Sequence, residues 1–262
     1  MATNAVEHGM EQAGAAAGHA GGGHSPLTQF EIKELIPIHI GGHNLSYTNS
    51  SLVMTVAIVL VLSLMIFGTR RRALVPGRWQ VLAEMCYEFC ANLLRDTVGN
   101  EGRKYFPFVF TLFMFLLVGN MLGMVPYSFT FTSHIVVTFA MAIAVFIGVT
   151  ILGFVKHGTH FFTFFVPPGV PILLWPLMIV IEVISYLSRP ISLSVRLFAN
   201  MTAGHTMLKV FASFVPLLGA AGIFPLAFAT ALSGLEVLIA FLQAYVFTVL
   251  TCLYISDAVH LH

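Results

Sequence analysis

Charge is what this sequence has least of. Of 262 residues only 9% are Asp, Glu, Lys or Arg, while 58% are hydrophobic and the mean hydropathy is +0.90. A water-soluble fold needs more polar surface than that to cover its core, so the bilayer is the solvent for most of the chain. In lipid every backbone N–H and C=O must be satisfied within the protein, which leaves helices as the default way across. A net charge of +1 argues against a nucleic-acid or polyanion partner. Three cysteines are too few for a disulfide framework, and Cys86, Cys90 and Cys252 read as reduced packing thiols. There is no GxxxxGK loop to cradle phosphates and no nucleophile set beside a base, so the chain alone is expected to hydrolyse nothing. No cofactor and no metal site are expected.

Residues 1–28 form a tail rich in Ala, Gly and His that is expected to be flexible. It has no basic stretch followed by an apolar one, so it does not read as a secretory signal. His8, His19 and His24 are too irregularly spaced for a ligand set and read as solvated side chains. After a segment at 29–50, the first long apolar run covers 51–68, about one bilayer thickness at ~1.5 Å per residue. The connector 69–104 carries seven of the twelve Lys and Arg residues, which assigns it to the cytoplasmic or matrix side. The N-terminus and 29–50 then face the periplasm or intermembrane space. Within the connector, Trp79, Leu82, Cys86, Phe89 and Leu93 recur at spacings of three and four, predicting an amphipathic helix over 78–98 on the membrane surface or against a partner.

Two further spans are predicted over 105–125 and 134–155, joined by an uncharged turn at Pro126; the latter closes on Lys156 and His157, again on the positive side. Gly119 and Gly123, and then Ala140, Ala144 and Gly148, put small residues at every fourth position, a pattern that lets helices pack closely in lipid. The last hundred residues are different. Helical pattern persists over 169–212, ~66 Å if straight, and over 222–256, ~52 Å. Both exceed a ~30 Å hydrocarbon core, so tilt or kinking is expected, with Pro190 able to kink the first. The stretch 216–225, with two prolines and two glycines, is the expected turn. The fold class is therefore an all-α polytopic membrane protein with about five membrane-embedded helices. The last two form a long, strongly inclined hairpin, and one amphipathic interfacial helix accompanies them.

Five ionisable residues fall inside the two long helices: Glu182, Arg189, Arg196, Lys209 and Glu236. Each is costly in lipid unless paired, hydrated or near an end. Lys209 can snorkel from a helix end. Arg196 sits among Ser192, Leu193, Leu197 and Phe198, and its guanidinium is a fixed positive charge at any physiological pH. Glu182, Arg189 and Arg196 are spaced by seven, within ~20° of two full turns, and share one stripe. A structural ion pair between Glu182 and Arg189 is one reading of that stripe; it leaves Arg196 unaccounted for. Ser192, Ala199 and Ala203 flank Arg196 and are small, which suggests a surface that another helix can approach. His205 lies ~13 Å beyond Arg196 on roughly the opposite face, and Glu236 and Gln243 lie seven apart on the last helix. If the hairpin sets Gln243 level with Arg196, Glu236 falls near the depth of His205, while Glu182 lies ~21 Å away in the other direction.

The run SLSVRLFANM over 192–201 closely resembles the signature of the F-type ATP synthase a subunits, as do AGH at 203–205 and LQAYVF at 242–247. The stretches 30–37, 119–127 and 167–171 also look like this family, so the resemblance covers about 26–262. It implies a stator subunit in which two offset aqueous half-channels load and unload a carboxylate on the c-ring. Arg196 matches the family's essential arginine, the barrier between the channels. Asn200 and Gln243 would be its polar neighbours, His205 and Glu236 the relay of the channel opening opposite the basic loops, and Glu182 part of the channel opening toward them. The His205 with Glu236 arrangement is that of alphaproteobacterial and mitochondrial members, which implies a bacterial inner membrane or, alternatively, a mitochondrial one. The implied partners are the c-ring, b-type peripheral stalk subunits and the rest of the synthase. Two other classes fit less well. A haem-binding respiratory subunit needs histidine pairs at matching depth, and only His134 and His205 come near the spans. A secondary transporter commonly has repeated halves, which this sequence lacks.

Overall fold

The computed structural model of the chain describes residues 34–37, 39–40, 43–44, 46–70, 77–125, 129–158, 161 and 174–260. The tail 1–28, the turn at Pro126, the stretch 167–171 and the first residues of the expected long helix from 169 lie outside the described residues. Two short antiparallel ladders come first. β1 (Glu34–Ile36) pairs with β4 (Tyr47–Thr48), and β2 (His39–Ile40) with β3 (His43–Asn44) between them.

Six α-helices follow among the described residues: α1 (Asn49–Arg70), α2 (Arg78–Val98), α3 (Phe106–Gly123), α4 (Ile135–His157), α5 (Trp175–Leu217) and α6 (Ile223–Val259). All but α2 are long and apolar enough to cross a membrane, α3 together with the 3-10 turn Asn100–Tyr105 that leads into it. At the start of α1 the Thr48 hydroxyl accepts from the Ser51 N–H and Asn49 Oδ1 from the Ser50 N–H, meeting donors that a helix start leaves unpaired. α2 stops at Gly99, whose φ of 78° is open to glycine and strained for other residues; its N–H closes the helix on the Arg95 carbonyl.

α2 is the amphipathic helix. Its buried stripe is Ala83, Cys90, Leu94 and Val98, flanked by half-buried Cys86, Phe89 and Leu93, while Trp79 and Leu82 of the expected apolar face point outward. The apolar arc is wider than the protein surface it covers, as suits a helix lying at a membrane interface. Burial pushes the Cys90 thiol up to about 12, the behaviour of an inert packing group.

The core lies where α2, α3, α4 and α6 meet: Val109, Phe113, Leu116, Ala142, Val145, Phe247, Cys252 and Ile255 are all buried. The small-residue stripes do different work from that expected. A Cβ on Gly119 would lie 2.4 Å from the Phe131 ring, and one on Gly123 would lie 2.7 Å from the Thr130 side chain. Both glycines thus admit the 129–134 loop rather than a neighbouring helix. Ala140, Ala144 and Gly148 face outward, and α4 buries Thr138, Ala142, Val145, Val149 and Gly153 instead.

α5 and α6 form the antiparallel hairpin. With 43 and 37 residues they would span ~64 and ~56 Å if straight, about twice a hydrocarbon core. Pro190 lies inside α5 and gives up the hydrogen bond to the Tyr186 carbonyl. The turn is shorter than the expected 216–225: α5 runs through Pro216, and Pro225 occupies the first turn of α6, where a missing N–H costs nothing. Only Leu218 and the 3-10 turn Gly219–Gly222 separate the helices, with Gly219 at φ 56°.

Candidate functional site

Three polar pairs lie along the seam between α5 and α6. At one end the Arg189 guanidinium donates to Asp257 Oδ2 at 2.9 Å and lies over the rings of Tyr186 and Tyr254, 5.4 and 5.0 Å from their centroids. At the middle Asn200 Nδ2 donates to Gln243 Oε1 at 2.9 Å. At the other end His205 Nδ1 stands 3.9 Å from Glu236 Oε2, with both side chains largely buried. Beyond them the Phe211 and Phe228 rings meet at 4.5 Å. On α6, Glu236, Gln243 and Asp257 are separated by seven and fourteen residues, which keeps them on one stripe toward α5.

The register departs from two expectations. Gln243 is level with Asn200, one turn past Arg196. The Arg189 charge is met by Asp257, which the expected end of the last helix at 256 left outside the span; α6 continues to Val259 and brings that carboxylate into the seam.

Arg196 is set apart from the seam. It is exposed on α5, and Ser192, Val195, Ala199 and Ala203 around it are exposed too, forming a shallow face of short side chains. Among the described residues the guanidinium makes no hydrogen bond or ion pair. Asn200 joins the two regions, since it is exposed on the face beside Arg196 yet bonded to buried Gln243. Glu182 lies half-buried near the start of α5, fourteen residues from Arg196.

Helix spacing puts His205 on the opposite side of α5 from Arg196, and that is the side where Glu236 reaches it. Gly204 makes the meeting possible: a Cβ there would lie 2.5 Å from Glu236 Oε1, so the carboxylate fills the space a side chain would take. The imidazole is held from the far side by the loop between α3 and α4. His205 Nε2 lies 3.2 Å from Thr130 Oγ1, which in turn donates to the Gly123 carbonyl at 3.2 Å. Thr202 Oγ1 donates to the Ser133 carbonyl, tying the same loop to α5.

This loop and α3 add neutral polar residues that no charge or spacing marks out in the sequence. Asn120 is fully buried and donates to the Ala240 carbonyl. Thr130, Thr132 and Ser133 are buried as well. Around them lie buried polar atoms without a hydrogen-bond partner among the described residues: Asn120 Oδ1, Thr132 Oγ1, His134 Nε2, Gln243 Nε2 and both Glu236 oxygens. Orphaned polar atoms in an apolar interior are costly, and their clustering marks where water is best received. Among the described residues no group of three or more His, Cys, Asp or Glu side chains is placed to hold a metal ion.

Comparison with known proteins follows the same lines. The family described as "ATP synthase A chain" matches residues 51–256. The chain is 58% identical over 240 residues to an ATP synthase subunit a of Rhodospirillum rubrum, covering 91% of this chain and 100% of the relative. It is 55% identical over 245 residues to that of Paramagnetospirillum magneticum, covering 91% and 99%. Over 242 residues it is 57% identical to that of Mesorhizobium japonicum, covering 90% and 96%.

Proposed function

The chain belongs to the ATP synthase A chain family, and from that premise we propose that it is the stator of the proton path, carrying two offset half-channels separated by Arg196. Family membership and the five apolar helices among its described residues make it a multi-pass bacterial membrane protein and an integral subunit of the synthase complex. In this reading it sits in the inner membrane, with the c-ring against the Arg196 face and b-type stalk subunits on the outer helices.

The observation that carries the reading is Arg196 itself: a permanent cation, exposed on a membrane-length helix, framed by short side chains and without an ion-pair partner among the described residues. Such a charge is costly in lipid and calls for an anion from outside the chain. A rotor carboxylate passing over Ser192, Ala199 and Ala203 would supply one. The guanidinium then favours the deprotonated carboxylate and repels a proton attempting the short way between channels. Asn200, one turn on and exposed beside Arg196, supplies an amide that hydrogen-bonds a carboxylate in either state, with buried Gln243 holding it from behind.

One half-channel runs past the polar cluster of Asn120, Thr130, Thr132 and Ser133 to Glu236 and His205. Its supports are the orphaned polar atoms, which water can satisfy, and two proton-exchanging groups 3.9 Å apart. Glu182 belongs to the other half-channel, toward the basic connector. ATP chemistry resides in partner subunits.

The test is proton flux in vesicles carrying the complete complex. Arg196→Ala abolishes ATP-driven pumping, while passive proton leak through the membrane sector persists or rises. Intact pumping with the variant assembled would reduce Arg196 to a structural residue and remove the two-channel scheme.

A further inference from the structure

Thr130 has a single hydroxyl proton and two neighbours that want to share it. Gly123 lies at the end of α3, where the last carbonyls of a helix have no intrahelical donor, and it is buried. Its carbonyl accepts from Thr130 Oγ1 at 3.2 Å. Leaving that carbonyl unpaired in an apolar interior is costly. With the proton committed there, the hydroxyl oxygen meets His205 Nε2, also at 3.2 Å, with lone pairs only. The shared contact is then a hydrogen bond only if Nε2 carries the ring proton. Gly123 also admits the Thr130 side chain to this position, since a Cβ there would lie 2.7 Å from both Cγ2 and Oγ1.

We infer that Thr130 is a positioning residue that holds neutral His205 as its Nε2–H tautomer, so that Nδ1, the nitrogen 3.9 Å from Glu236, presents its lone pair. The inference rests on the reading of His205 and Glu236 as a proton relay. It changes how that relay runs. With Nε2 occupied, the imidazole gains and loses its proton at Nδ1 alone and works as a one-sided shuttle rather than a wire through the ring. In the exchange the Oε2–H bond of a protonated Glu236 breaks and an Nδ1–H bond forms, leaving carboxylate and imidazolium; the return reverses both. The 3.9 Å separation exceeds a hydrogen bond, so the step takes a closure of about 1 Å or one intervening water.

Nitrogen-15 NMR of the assembled synthase with labelled histidine reads the tautomer directly, at a pH where the ring is neutral. The His205 signals are assigned by their loss in His205→Gln. The expected result is a protonated Nε2 and a bare Nδ1 in the native protein. Thr130→Ser keeps that pattern and pumps near the native rate. Thr130→Val populates the Nδ1–H form and slows ATP-driven pumping several-fold. A native Nδ1–H tautomer overturns the inference, as does an unchanged tautomer in Thr130→Val; if the valine variant does not assemble, the native and serine spectra decide alone. A native pumping rate in assembled His205→Gln would overturn the relay beneath the inference whatever the tautomer.

Discussion

Gly204→Ala is the sharpest test of where Glu236 sits, because it adds one methyl group and no charge. The new Cβ would stand 2.5 Å from Glu236 Oε1 and 3.1 Å from the carboxyl carbon, where ordinary contact begins at 3.4 Å. Relieving the clash moves the carboxyl group by about 0.9 Å, the difference between 3.4 and 2.5 Å. The group is buried against Gly204 of α5, so repacking costs about 1–3 kcal/mol, a fraction of what would disassemble a membrane subunit. The proposed relay suffers more. The carboxylate is already 3.9 Å from His205 Nδ1, and a misplacement of about 1 Å in a reacting pair can cost on the order of 10²-fold in rate. We therefore expect assembled complex at near-native abundance, by immunoblot of membranes, with ATP-driven acidification of inverted vesicles reduced 10- to 100-fold, a range set by that same sensitivity to ~1 Å misplacement. Glu236→Asp in the same chain withdraws the carboxyl group by one methylene and restores part of the loss, whereas on the native background it only lowers the rate. Native pumping by Gly204→Ala would refute the reasoning, because it would mean that the carboxyl group does not occupy the space beside Gly204.

Other perturbations separate structure from transport. Asp257→Asn removes the anion of a half-exposed pair and should lower the stability of the detergent-solubilised subunit by about 0.5–1 kcal/mol. Arg189→Ala also loses contact with two tyrosine rings and should cost about 2 kcal/mol, read as a larger drop in dissociation temperature. Burial holds the Cys90 thiol near 12, so it stays protonated throughout the neutral range and a thiolate would appear only as pH rises toward that value. Maleimide at pH 7 to 9 should leave Cys90 unmodified in native membranes and label it fully after denaturation; rapid native labelling would contradict the packed α2 face.

Much of this architecture is legible because lipid makes charge conspicuous. Arg196, Glu236 and His205 stand out in runs of Leu, Val, Ile and Ala, and the apolar lengths alone give five crossings. The neutral part of the site is not legible in that way. Thr130, Thr132 and Ser133 follow an uncharged turn and look like ordinary loop residues, since a hydroxyl carries no signal until its partner is known. Asn120 lies in a helix where a lone amide is unremarked. Gly119 and Gly123 match a helix-packing pattern, yet the groups they admit are Phe131 and Thr130, twelve and seven residues further on in a loop. Asp257 escaped because nothing local distinguishes the last turn of a long helix from the residues after it. The level of Gln243 against Asn200 depends on a tight turn at 218–222, whose length two prolines made look greater.

The seam between α5 and α6 has a mechanical consequence. Its pairs, Arg189 with Asp257, Asn200 with Gln243 and His205 with Glu236, are met at a single register. Sliding one helix past the other by a turn, ~5.4 Å, separates all three pairs at once, and a buried group stranded by it, such as Gln243, costs about 1–3 kcal/mol. Intermediate slips are no better, because the groups are spaced along the helix like teeth and engage together or not at all. Side chains of Leu and Ala alone would let the two rods creep under a steady lateral push. Toothed in this way, the hairpin is stiff along its length and transmits a push as one beam, the property required of the part of a rotary machine that must not turn.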